Sequence, residues 1–344
     1  MQLKKFNLGW ISKYKTEIFA VAIILIMLFH FSADYRGAVQ HGKTDVLNHP
    51  IIRPLIMKWW QFFGSIGVEV FVFLSGVGLY YSFSNNNNLS AFYKKRFLRI
   101  MPAYLIVASV FWAIKDFVFK GTGFEGWLAD ISFYSFLSTG IHTIWYIALM
   151  IVLYIAFPLI YNLIEKNEKY FVLILLLTLI IPIITFKISP LYYKYTAIAT
   201  TRIPIFVFGV WMARYIKKNK QVSYMLIFAI IAFTFILNKL SIKFHLKGYM
   251  SRYVDSIFAI GVILLIIIFI MIVERIKIIN WFMKFAGTLS LELYLTHVTL
   301  RNLMKGFGFH AYSILQYFIM LMIAAVLSYL LKLVTDKFVL RSQP

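Results

Sequence analysis

The segment Ile174–Ile184, ILLLTLIIPII, holds no charge and a single hydroxyl, and it lies within one of about ten apolar stretches long enough to be read as membrane spans. They fall at roughly 18–34, 64–84, 98–117, 143–164, 170–187, 202–216, 223–239, 253–274, 281–301 and 311–334. Such segments have no place in a water-soluble core. The chain is 61% apolar and 14% charged, with a mean hydropathy of +0.80. Soluble domains are nearer half apolar and about a quarter charged. A soluble enzyme, a disordered chain and a coiled coil are therefore excluded. A transmembrane barrel would alternate apolar and polar residues. Unbroken apolar runs instead predict an all-α polytopic membrane protein with about ten transmembrane helices.

No soluble domain, internal repeat or long linker interrupts this pattern, so residues 1–344 read as one integral membrane domain. A further interfacial helix is expected near 126–138. The first span is read as retained, since HFSADYR follows it and no small-x-small cleavage site does. The net charge of +22 is read as basic loops held against anionic headgroups, not as a nucleic-acid surface. With the N-terminus inside, MQLKKFNLGWISKYK and FYKKRFLR both face the cytoplasm, as does the larger share of Lys and Arg. The positive-inside rule then places both termini in the cytoplasm. The chain has no cysteine, which removes disulfides, thiolate metal sites and Cys nucleophiles. No His-Glu spacing typical of a metal site is present, so no metal is expected.

Ionisable groups within spans are costly and mark candidate sites. Those that stand out are His30, Glu69, and the pair Glu292 and His297. At about 1.5 Å rise per residue, His30 lies about 18 Å in from the cytoplasmic side, and Glu69 about 8 Å below the outer surface. His297 also falls in the outer half, so His30, Glu69 and His297 are candidates for one polar pocket. A neutral imidazole suits general-base work near neutral pH, and a nearby carboxylate would fix its tautomer. The alternative is that each histidine only bonds a neighbouring helix.

The basic run Lys94-Lys95-Arg96-Phe97-Leu98-Arg99 opens the third span. Arg96 and Arg99 share a helix face and suit a phosphate clamp, with Lys95 beside them. Ordinary membrane anchoring is the other reading. Gly64, Gly67, Gly76 and Gly78 permit close helix packing. Trp59, Trp60, Trp127, Trp145 and Trp281 fit an interfacial belt, although Trp145-Tyr146 is also placed to stack on a sugar ring. Ten spans with buried charges would equally suit a non-enzymatic glycan exporter.

Four stretches narrow the choice. The first helix ends in LFHF at His30. GSIGVEVFVFLSG follows, with Glu69 at its acidic position. KKRFLRIMPAY holds Arg96, Arg99 and Pro102. GTLSLELYLTH holds Ser290, Tyr294 and His297. In this order they resemble the acyltransferase-3 family of integral membrane acyltransferases, many of which O-acetylate surface polysaccharides. The resemblance covers most of the chain, with 165–280 similar only as generic spans. It implies a relay across a bacterial plasma membrane. Acetyl-CoA, or another acyl-CoA, would be the donor substrate, with its phosphates on Lys95, Arg96 and Arg99 and no bound cofactor. A glycan or lipid-linked glycan would be the acceptor. His30 would be the base or a transient acyl carrier, Glu69 would assist it, and Trp145, Tyr294 and His297 would contact substrate. Many members carry a basic residue eleven positions before the histidine. Here that position is Phe19, and the nearest basic residues are Lys15 and Lys13.

Overall fold

A computed structural model describes residues 5–40, 66–308 and 314–340, together with isolated positions 54, 58, 62 and 63. Trp59, Trp60, Gly64 and Ser65 lie outside the described residues. The described chain is helical except for a two-residue ribbon pairing β1 (Phe6–Asn7) with β2 (Gln221–Val222). The helices are α1 (Trp10–Lys13), α2 (Lys15–Gln40), α3 (Gly67–Asn85), α4 (Leu89–Ala113, extended by a π-helical turn over Ile114–Phe119), α5 (Gly123–Ile131) and α6 (Tyr134–Ser138). They continue as α7 (Trp145–Lys166), α8 (Glu168–Ile188), α9 (Pro190–Thr200), α10 (Ile203–Lys217), α11 (Tyr224–Lys243) and α12 (Gly248–Val273). The last three are α13 (Lys277–Thr288), α14 (Ser290–Gly306) and α15 (Ile314–Leu340).

Among the described residues, nine stretches are helical, long and apolar enough to cross a membrane. The protein is thus an all-α polytopic membrane protein. The segment read as one span at 281–301 is two helices, α13 and α14, joined at Leu289. α13 is amphipathic: Met283, Ala286 and Gly287 are buried, while Lys277, Trp281, Phe282 and Lys284 are exposed. The helix expected near 126–138 is present as two short ones, α5 and α6.

Local chemistry sets several helix starts. Asn167 caps α8 through Lys169 N–H, Ser189 caps α9 with Pro190 in the first turn, and Ser223 caps α11 through Leu226 N–H. Pro102, Pro158 and Pro182 sit inside helices, as membrane helices tolerate.

The described residues fall within two compact units: Met1–Ala22, Ile66–Phe92 and Leu149–Thr288 in the first, and Ile23–Ser65, Tyr93–Ala148 and Leu289–Pro344 in the second. In the first, α3 and α10 pack backbone to backbone. A Cβ added to Gly76 would stand 2.5 Å from Phe206 O, and one added to Gly209 would stand 2.4 Å from Phe73 O. Small residues are what allow this approach where lipid supplies no hydrophobic drive between helices. Tyr14 donates to Glu274 at 2.8 Å near the membrane boundary, and this bond, ahead of the neighbouring Lys13, holds the Glu274 carboxyl below its ordinary range.

In the second unit, α14 and α15 are joined by hydroxyls: Thr296 and Ser328 share a 2.7 Å bond, and Thr296 also donates to Glu292 O. Phe31, Tyr35, Tyr317 and Met320 form an apolar cluster between α2 and α15, and Tyr317 donates to Met27 O at 2.6 Å. Tyr104 donates to Ile131 O, and Trp127 to Ser109 O, which fasten α5 to α4.

Candidate functional site

Two of the residues expected at the site meet in the second unit. His30 on α2 and His297 on α14 are hydrogen-bonded, Nδ1 to Nε2, at 2.8 Å, with ring centroids 5.0 Å apart. His297 is fully buried, and its Nδ1 lies 3.3 Å from Leu293 O, the carbonyl one turn earlier. A carbonyl only accepts, so Nδ1 of His297 carries the proton and Nε2 is the acceptor. His30 Nδ1–H is then the donor. His30 Nε2 keeps its lone pair, and that atom is where the pair can accept a proton from a substrate.

A second rung lies one turn further along both helices. Asp34 follows His30 by four residues, and Arg301 follows His297 by four, so each shares a face with its histidine. Arg301 grips Asp34 with two donors, Nε to Oδ2 at 2.6 Å and Nη2 to Oδ1, and Lys305 adds a third. A two-pronged guanidinium–carboxylate pair fixes orientation as well as distance. The sequence reading passed over Asp34, Arg301 and Lys305. The shared four-residue spacing was a usable signal, but only the fold shows that the two spacings face each other.

The basic run opens α4. Lys95 is exposed, Arg96 is partly buried, and Arg99 pairs with the buried Glu292 at 3.0 Å. Glu292 lies in the first turn of α14, where a carboxylate also meets the positive end of the helix. Glu292, paired with His297 along the sequence, has as its ion-pair partner one of the two candidate clamp arginines. Tyr294 is buried, with its ring 5.3 Å from that of Tyr146 in an edge contact, and Tyr146 in turn meets Trp145 at 6.3 Å.

Glu69 belongs to the first unit. It is fully buried in the first turn of α3 and pairs with Arg202 at 2.7 Å. Arg252 and Asp255 on α12 lie within electrostatic reach of that pair. Lys15 stands with its ammonium 6.0 Å from the centroid of the Phe19 ring, and 3.4 Å from where a Cβ on Gly78 would be. Phe19 itself stacks on Phe71 at 5.0 Å.

The comparison with known families decides what this arrangement belongs to. Residues 20–333 match the acyltransferase-3 family, described as an acyltransferase domain. This chain belongs to the acyltransferase-3 family. No curated protein and no solved structure matches it. The match spans both histidines, the basic run and Glu69, so all of them belong to the family domain. The protein is therefore a membrane acyltransferase.

Proposed function

We propose that this acyltransferase carries an acyl group, acetyl in the simplest case, from cytoplasmic acyl-CoA to a hydroxyl of a cell-surface or exported glycan. The 2.8 Å bond between His30 and His297 carries the proposal, because it leaves a basic nitrogen on a half-buried histidine within the helical segment. His30 Nε2 takes the proton of the acceptor hydroxyl as its oxygen attacks the thioester carbonyl. The tetrahedral intermediate collapses, the C–S bond breaks, and the thiolate of CoA leaves. The proton on His30 then passes to that thiolate. The charge on His30 during the reaction is eased by its bond to His297, whose Nε2 accepts.

The donor end is built from cations. Arg96 and Lys95 serve the phosphates of CoA, with Arg99 held in place by Glu292. In the first unit, and apart from that donor end, Lys15 takes the place of the basic residue that position 19 lacks. Glu69 acts through Arg202, as a positioning residue in the first unit. The membrane is a bacterial plasma membrane, with both termini in the cytoplasm.

The test is transfer of labelled acetyl from acetyl-CoA to glycan in membrane vesicles, at matched expression. His30→Ala is expected to abolish labelling. His297→Ala is expected to lower kcat by about 100-fold or more, as loss of a general base's orienting partner does. Equal labelling in the unaltered protein and His30→Ala would overturn the catalytic assignment. No labelling by the unaltered protein over several acceptor glycans would favour a glycan exporter.

A further inference from the structure

Asp34, Arg301 and Lys305 take no part in the acyl-transfer steps, yet they lie on the two helices that carry the histidines, α2 and α14. On the rise used for His30, Asp34 is about 24 Å in from the cytoplasmic side. It is still inside the first span, Lys15–Tyr35. Its side chain is 6% exposed and that of Arg301 is 15% exposed. Charges at such a depth are costly. A buried ion pair adds little net stability over apolar side chains of similar volume, and its best-attested use is to fix the register of the elements it joins.

The bonds around these helices show what there is to register. α2 is tied to α15 by Tyr317, whose hydroxyl donates to Met27 O and whose ring meets that of Phe31 at 4.7 Å. α14 is tied to α15 by Thr296, which bonds Ser328 and also donates to Ala324 O at 3.2 Å. Directly between α2 and α14 run the rungs His30–His297 and Asp34–Arg301, one turn apart on both helices. Lipid supplies no hydrophobic drive that would hold two helices at one offset. A slip of α2 past α14 by one residue moves a side chain about 1.5 Å along the axis and about 100° around it, which breaks both rungs. The histidine bond is a single contact between two rings that turn about their own bonds. The Asp34–Arg301 pair is two-pronged, Nε to Oδ2 and Nη2 to Oδ1, and so selects one offset and one orientation.

We propose that Asp34 is a positioning residue for the histidine pair. Held by Arg301, it fixes α2 against α14 at the offset that brings His30 Nδ1 to His297 Nε2. Lys305 adds a donor to Oδ1 and keeps the carboxylate from turning. Asp34 and Arg301 act from one turn away, through the direction in which His30 Nε2 points. A misplacement of about 1 Å caused from outside the chemistry costs a reaction about 100-fold in rate. The assignment rests on the reading of His30 as the base.

The test has a spectroscopic arm and a kinetic arm, both on the full chain. With the histidines labelled with heavy nitrogen, nitrogen NMR reads the protonation and bonding of each ring nitrogen. His30→Ala and His297→Ala assign the two signals. Asp34→Asn keeps the shape of the side chain and removes its charge, and is expected to remove the signature of the His30–His297 bond. In the acetyl-transfer assay it should lower kcat by about 10- to 100-fold and leave KM for acetyl-CoA unchanged. Arg301→Gln should do the same. The double variant should be no slower than the slower single one, since both changes remove one interaction. Arg301→Lys keeps the charge without the two-pronged geometry and should also lower kcat at unchanged KM.

An unaltered histidine signature or an unaltered kcat in Asp34→Asn would overturn the positioning role. Losses of kcat that multiply in the double variant would do so too, as would losses that only follow the amount of folded protein. Where Asp34→Asn does not fold, Arg301→Lys decides, and an unchanged kcat there overturns the role. Full transfer by His30→Ala would remove the reading of His30 as the base, and the NMR arm then judges the clamp alone. Loss of the histidine bond in Asp34→Asn would uphold it, and an intact bond would overturn it.

Discussion

At the scale of single residues, Arg99 and Glu292 show how burial decides the value of a charge. Glu292 is fully enclosed and Arg99 about one-third exposed, so the carboxylate depends on the guanidinium more than the reverse. Arg99→Leu should strand a buried carboxylate and cost about 2–3 kcal/mol, seen as a lower melting temperature in detergent. Adding Glu292→Leu should recover part of that loss, because the pair is then replaced by apolar contact. A double variant less stable than Arg99→Leu alone would refute the pairing. The residue types at the site were legible in the sequence, since His30, Glu69, Glu292 and His297 stand out against apolar neighbours. Their partners were not. Arg202 is far from Glu69 along the chain, and nothing local ties Arg99 to Glu292. A helix exposes which residues share its own face, but pairing across helices is a property of the packed structure.

At the scale of elements, hydropathy located the membrane helices well because each one is set by length and transfer free energy. It failed at α13 and α14 for a physical reason. The joint at Leu289 is apolar, so averaging over a window hides the break. The π-helical turn after α4 was equally invisible, since Ile114–Phe119 keeps the composition of an ordinary helix. Close packing by glycine was foreseen and is realised at Gly76. Gly76→Ala must push its new methyl group against the Phe206 carbonyl, 2.5 Å away, and should cost about 1–3 kcal/mol by overpacking. Gly78→Ala meets only the flexible end of Lys15 at 3.4 Å and should melt near the unaltered protein. Equal melting of the two variants would show that the α3–α10 contact is looser than described.

At the scale of the whole molecule, composition alone required a polytopic helical protein, and the family domain over residues 20–333 makes it an acyltransferase. The sidedness of the reaction follows from the proposed placement of basic residues toward the cytoplasm and the histidine pair toward the outer half. Inverted membrane vesicles, with the cytoplasmic face outward, put this to the most direct test. Labelled acetyl-CoA is supplied outside, and the glycan is then probed with a membrane-impermeant esterase before and after detergent. Acyl transfer across the membrane through His30 is expected to give labelled glycan that resists the esterase until detergent is added, with no label in His30→Ala. Label removed by the esterase without detergent, or label that persists in His30→Ala, would contradict it.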